Sequence, residues 1–397
     1  MLASGWSSSK RGLPTVNREL AMQLAKHDQV EVTILVPESV CTEEEKRFAR
    51  SRNISIREAE RRPGYDPLDW LSFPPRDLAI DIVVGCGVKL GKQAQVIRVS
   101  HRCKWVQVVD TEPEELGMYK SYPGAVSSGE EKTISVVDLC KLADAIATVG
   151  RKMKEAYSSS LYECKKHQDI IQLTPGTFGE FSDVTQATNG GGKFKVLAFG
   201  RGDPEDFCLK GYDIAAKAIA ELKDNSYCLI FVGAPDGKQE AVAKNLIESG
   251  ISRRQLYVRK FNQRKERMKE LFCEVDLAIM PSRTEGFGLV ALEALSAGLP
   301  ILVSGDSGFG CALRTLPSGN SVVVDSEEPK DWARASAGVR QKDRTERLQE
   351  IEKLRKCYEE KFSWEKQCEA LVEMMQRIVR GKTFIEFLCF LYPVELN

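Results

Sequence analysis

Two glutamates, Glu285 and Glu293, stand eight residues apart in PSRTEGFGLVALEALSAGLP (281–300). The first lies beside Gly286 and Gly288. The second lies inside a run from Gly288 to Ala297 that is otherwise apolar or small in every direction, the pattern of an interior helix. A carboxylate in such a helix must be paired, hydrogen-bonded or neutralised. Glu285-Gly286-Phe287-Gly288 follows the strand-like DLAIMPS at the point where that helix begins. Open α/β sheets bind ligands at the carboxyl ends of their strands. Glycines there let backbone come close, and a helix N-terminus offers free N–H groups to an anion. A neighbouring carboxylate suits hydroxyls, so the expected ligand is anionic at one point and hydroxyl-rich at another, as a nucleotide sugar is. The plainer alternatives are a helix-start Glu285 answering the dipole and a Glu293 on an exposed face.

A second stretch, FGRGDPEDFCLKGYD (199–213), follows the strand-like KVLAF and carries Arg201 and Lys210. Two cations on one strand-end loop could clamp a diphosphate, the guanidinium as bidentate donor and the ammonium as point charge. Two solvated loop residues are the alternative; the strand-end position in the same half as Glu285 favours the clamp.

The elements that must position these residues alternate. In the second half KVLAFG, YCLIFVG, QLYVRKF, DLAIMPS, PILVS and SVVVD read as strands between helices. Short continuous apolar strands separated in this way predict a parallel sheet covered on both faces, a doubly wound α/β unit. The first half repeats the logic with VEVTILVP, DIVVG, CKWVQVVD, DAIATVG and DIIQLTPG, but only Leu2 and Ala3 precede its first loop, so its first strand looks clipped. The expected division is 1–181 for a first Rossmann-like domain and 182–193 for a polar, glycine-rich hinge. A donor domain over 194–362, a helix over 363–380 packing back on the first domain, and an apolar tail over 381–397 complete it. The charged run DRTERLQEIEKLRKCYEEKF is expected to form a solvated helix.

The totals exclude several classes. Lys plus Arg and Asp plus Glu are equal at 57 each, which argues against a basic nucleic-acid binder. The 12 cysteines include no C-x-x-C pair, so no metal framework is expected, and their scatter suits a reducing compartment. The N-terminus lacks a signal-peptide run and the apolar tail is short and interrupted by Glu386, so no membrane span is expected. Cytoplasmic location is the resulting expectation.

Gly200-Arg201, Leu209-Lys210-Gly211 and the two-glutamate stretch together resemble the donor half of the GT-B fold, specifically the retaining glycosyltransferases of family 4. SSSKRGLPTVNRELA in the first half and FSW (362–364) extend the resemblance over most of the chain. It implies two Rossmann-like domains facing across a cleft, and transfer of a sugar from a nucleotide diphosphate donor with retained anomeric configuration. It implies no cofactor and no obligatory metal. Arg201 and Lys210 would hold the donor phosphates, Glu293 the ribose hydroxyls, and Glu285 with the backbone of Gly286, Phe287 and Gly288 the sugar.

Four departures fall at other positions. The first-loop glycine pair of the family reads Arg11-Gly12, Asp110 stands after VQVV where a histidine is usual, and Cys86 replaces another histidine. The loop SGFGCAL, with Gly308, continues to Cys311 in place of a glutamate. Together they predict an intact donor pocket with weakened chemistry. The alternative function is therefore an impaired relative acting as a nucleotide-sugar-binding or protein-interaction module. The acceptor is not legible. Of the three histidines, His27, His101 and His167, only His101 offers a replacement imidazole. A dinucleotide fold is a further rival, because Gly85, Gly87 and Gly91 precede a strand ending in Asp110, but the spacing is irregular and no hydride-transfer group accompanies it.

Overall fold

The computed structural model describes residues 1–6, 13–186, 192–260 and 265–380. Gly12, residues 187–191 of the expected hinge and the 381–397 tail lie outside the described residues.

The first half runs α1 (Leu13–Leu24), β1 (Val32–Pro37), α2 (Glu43–Arg50), β2 (Ile54–Ala59), β3 (Ile82–Cys86), α3 (Gly87–His101) and β4 (Lys104–Val109). It continues with α4 (Pro113–Met118), α5 (Ala125–Leu142), β5 (Ala145–Val149), α6 (Gly150–Ser160) and β6 (Ile170–Leu173). The β1–β2 pair and the β3-β4-β5-β6 sheet are both parallel. Residues 1–3 join them: Leu2 N donates to Val84 O (2.9 Å), while Ala3 N donates to Leu35 O (3.0 Å). The short stretch expected to be a clipped strand thus fills the central slot between β1 and β3, with Leu2 bridged in parallel to Leu35.

The second half runs β7 (Phe194–Phe199), α7 (Tyr212–Glu221), β8 (Tyr227–Ala234), α8 (Gln239–Glu248), β9 (Leu256–Lys260), α9 (Lys265–Glu274) and β10 (Leu277–Met280). Then come α10 (Leu289–Ser296), β11 (Ile301–Ser304), α11 (Gly308–Leu313), β12 (Val323–Val324), α12 (Pro329–Gln341), α13 (Arg344–Lys361) and α14 (Trp364–Arg380). Its six strands lie in the order β12-β11-β10-β7-β8-β9, all parallel. The order reverses direction at β7 and β10, whose carboxyl ends are where such sheets bind ligands. All of β8 is buried, as expected for a strand covered on both faces.

One apolar core crosses both halves. Phe181 stacks edge-on against Phe272 (5.4 Å), and Tyr358 of α13 donates its hydroxyl to Pro175 O (2.7 Å). Helix α13 is therefore not the wholly solvated helix its charges suggest: Ile351, Leu354 and Tyr358 form a buried stripe on one face. Helix α14 returns to the first half, burying Cys368, Leu371 and Met375 and bonding Gln376 Nε2 to Gln29 Oε1 (2.7 Å). None of the helices among the described residues is long and apolar enough to cross a membrane.

Candidate active site

The loops leaving β7, β10 and β4 converge. Phe199 ends β7 and the chain passes through Arg201, a 3-10 turn at Pro204–Asp206 and Lys210 before α7 begins. Met280 ends β10, and Glu285 to Gly288 lead into α10. From the first half, Val109 ends β4 and Asp110 follows. Between them lies a cavity of about 380 Å³, lined by Asp110, Lys120, Arg201, Asp206, Lys210, Glu285 and Glu293 among others. That volume is within the range of small-molecule sites.

Asp110, Arg201, Lys210, Glu285 and Glu293, singled out in the sequence, thus reach one cavity. Glu293 is 3% exposed, and its burial among Ala291, Leu292, Ala294 and Leu295 is resolved by its place in the cavity wall. The two cations expected to hold an anion are already engaged: Lys210 Nζ lies 2.5 Å from Glu285 Oε2, and Arg201 Nη2 lies 3.0 Å from Asp206 Oδ2. Asp206 is 1% exposed whereas the Arg201 side chain is 61% exposed, so the guanidinium is tethered at one end and open at the other.

Asp110 retains some surface into the cavity but is otherwise walled in. Its carboxyl is pushed up to about 6, chiefly by burial, with the Glu285 charge adding and a backbone hydrogen bond opposing. Cys86, at the end of β3, donates to Asn17 Oδ1 (3.2 Å) and is pushed up to about 12 by burial, so it is a neutral thiol. No imidazole replaces these groups. His101 lies at the far end of α3 beside Ser100 Oγ (2.9 Å), and His167 stacks on Tyr162 (5.0 Å).

The glycines serve close approach. A Cβ on Gly286 would stand 2.0 Å from the carbonyl oxygen of Asp110, so only glycine lets the two halves meet there. Gly308 stands one layer behind, where a Cβ would be 2.3 Å from Gly286 O; it supports the wall and does not line it. Phe287 borders the cavity, and its ring also lies beside Gly150 at the start of α6 and against Phe309 (5.9 Å). Lys152 Nζ is held by Glu115 Oε1 of its own half (2.8 Å) and reaches across the same junction to Thr284 Oγ1 (2.6 Å) and Asp306 O (3.0 Å). Sequence reasoning missed Lys152, Lys120 and Asp206. Asp206 lay inside a loop already singled out for its cations, which was the available signal; the two lysines carry none.

Two parallel-sheet halves enclosing a strand-end cavity, with a last helix crossing back to the first half, are the construction of the GT-B fold. A family model described as "Family 4 Glycosyltransferase in conflict systems" matches residues 1–371, and the chain belongs to that family. It is 32% identical over 215 residues to a D-inositol 3-phosphate glycosyltransferase of Rhodococcus opacus (strain B4), covering 52% of this chain and 45% of that one. With a protein of the same name from Rhodococcus erythropolis (strain PR4 / NBRC 100887) it is 28% identical over 268 residues, 64% of this chain and 57% of the relative. The chain spans about half the length of these curated relatives. Among solved structures, sucrose-phosphate synthase from Thermosynechococcus elongatus superposes with a TM-score of 0.72 at 15% identity, covering 96% of each chain. Anabaena Alr3699/HepE in complex with UDP and glucose gives 0.65 at 15% identity, covering 94% of this chain and 98% of that one.

Proposed function

We propose that the protein is a retaining glycosyltransferase that takes a nucleotide diphosphate-sugar as donor. The observation that carries this reading is the joint placement of Lys210 and Arg201 opposite Glu293 and Glu285 in one strand-end cavity. The solved structure of Alr3699/HepE with UDP and glucose is in keeping with it. When the anomeric carbon–oxygen bond breaks, both bonding electrons pass to the diphosphate. Fixed charge from Lys210 and Arg201 stabilises that leaving group without a metal. The acceptor oxygen bonds to the anomeric carbon on the same face, and its proton passes to the departing phosphate oxygen. Glu293 takes the ribose hydroxyls, and Glu285 exchanges Lys210 for the sugar. The free cysteines among the described residues suit a reducing compartment, and cytoplasmic location is part of the proposal.

A second reading rests on Asp110. A carboxylate stands where an imidazole would donate a hydrogen bond, and the cavity holds Asp110, Asp206, Glu285 and Glu293 against Lys120, Arg201 and Lys210. That excess of negative charge favours a module that binds a nucleotide sugar and turns it over slowly. Incubation with UDP-, GDP-, ADP-, CDP- and TDP-sugars, with release of nucleoside diphosphate as the readout, separates the two. The transferase reading expects release from one donor class, reduced at least about 100-fold by Lys210→Ala. Binding without release favours the module, and neither binding nor release removes both.

A further inference from the structure

Three cations, not two, line the cavity, and the third comes from the other half: Lys120, in the turn between α4 and α5. Its ammonium lies 3.3 Å from Asp206 Oδ1, while Arg201 holds Oδ2 of the same carboxylate at 3.0 Å. One buried carboxylate thus sets an ammonium from the first half and a guanidinium from the second side by side. Oδ1 has no hydrogen-bond donor among the described residues besides the Lys120 ammonium.

The placement is supported on both sides. Ser121 N donates to Glu205 O (3.1 Å), fixing the turn that carries Lys120 against the 3-10 turn that carries Asp206. Behind it, Glu114 N donates to Thr133 Oγ1 (3.0 Å) and ties α4 to α5. Lys120 keeps 23% of its side chain exposed and lines the cavity, so its remaining N–H groups are open to a ligand. An ammonium has three donors and a guanidinium five, so a single carboxylate leaves both with donors to spare.

We propose that Lys120 is a third diphosphate-binding cation of the donor site, supplied by the first half and held in register with Arg201 by Asp206. The inference rests on the donor reading above and adds a consequence to it. A site completed by a residue from each half binds its diphosphate fully only when the halves are together. The nucleoside part, held by the second half alone, does not sense Lys120.

The test is a binding series on the full chain by calorimetry: UDP, GDP, ADP, CDP and TDP, then the monophosphate and the nucleoside of whichever binds. Lys120→Met is expected to weaken the diphosphate at least about tenfold, the loss of one charge-assisted hydrogen bond. Nucleoside affinity should stay within about twofold, and Lys120→Arg should restore most of the loss. Asp206→Asn, which leaves both cations but removes their shared anchor, is expected to weaken the diphosphate as well. Wild-type binding that Lys120→Met leaves unchanged, or weakens equally for nucleoside and diphosphate, overturns the inference and spares the donor reading. A wild type that binds none of the five diphosphates overturns both.

Discussion

Replacing Asp110 by asparagine isolates a single electrostatic effect. In the folded protein the carboxyl is raised from an ordinary 3.8 to about 6, first by burial and then by Glu285. The folded state therefore holds this proton more tightly than the unfolded chain does. Stability from this group is present in acid, declines as pH rises from about 4 to about 6, and stays at its reduced level above that window. A shift of that size corresponds to about 3 kcal/mol as an upper bound. Because solvent enters through the cavity, about 1–2 kcal/mol is the working value. Asparagine is nearly isosteric and cannot ionise. Urea unfolding of wild type and Asp110→Asn between pH 4 and 8 should show little difference at the acid end and a growing advantage of the variant toward neutrality. A stability difference that stays constant with pH would refute the placement of a strained carboxylate at this point.

The other expectations concern the junction and the donor wall. Gly286→Ala forces a Cβ onto the Asp110 carbonyl and should cost about 2 kcal/mol or more of stability, read as a lower melting temperature. An unchanged melting temperature would mean that the halves do not meet there. Lys152→Met removes two cross-junction bonds, to Thr284 and Asp306, and should enlarge the radius of gyration measured by small-angle X-ray scattering; identical scattering would count against its role as a latch. Glu293→Gln should abolish the rise in melting temperature that a bound nucleoside diphosphate produces, with the free protein little affected. A retained rise would move the ribose elsewhere.

The second half was legible because its signals are local. PSRTEGFGLVALEALSAGLP holds a carboxylate, two glycines and a helix start within a few residues, and continuous apolar strands such as YCLIFVG announce burial on both faces. What escaped was pairing over distance. Nothing near Lys120 or Lys152 names Asp206 or Thr284 as a partner, since these contacts exist only once the two sheets face each other. Helix α2 was overlooked despite an available signal, the Thr42 and Glu45 capping box. The charges of α13 outweighed its three buried apolar residues because a narrow stripe is easily lost among lysines and glutamates.

The return of α14 to α1 has a bearing on synthesis. Six residues of α14, from Trp364 to Met375, are buried, and part of that burial seals the face of α1 near the start of the chain. On a ribosome the first sheet is complete at β6, yet this seam stays open until roughly 200 further residues have been added, a wait of about 10–40 s at ordinary elongation rates. Throughout that interval the face of α1 that α14 later covers stays open to solvent. A ribosome stalled within α13 would leave that face of α1 uncovered.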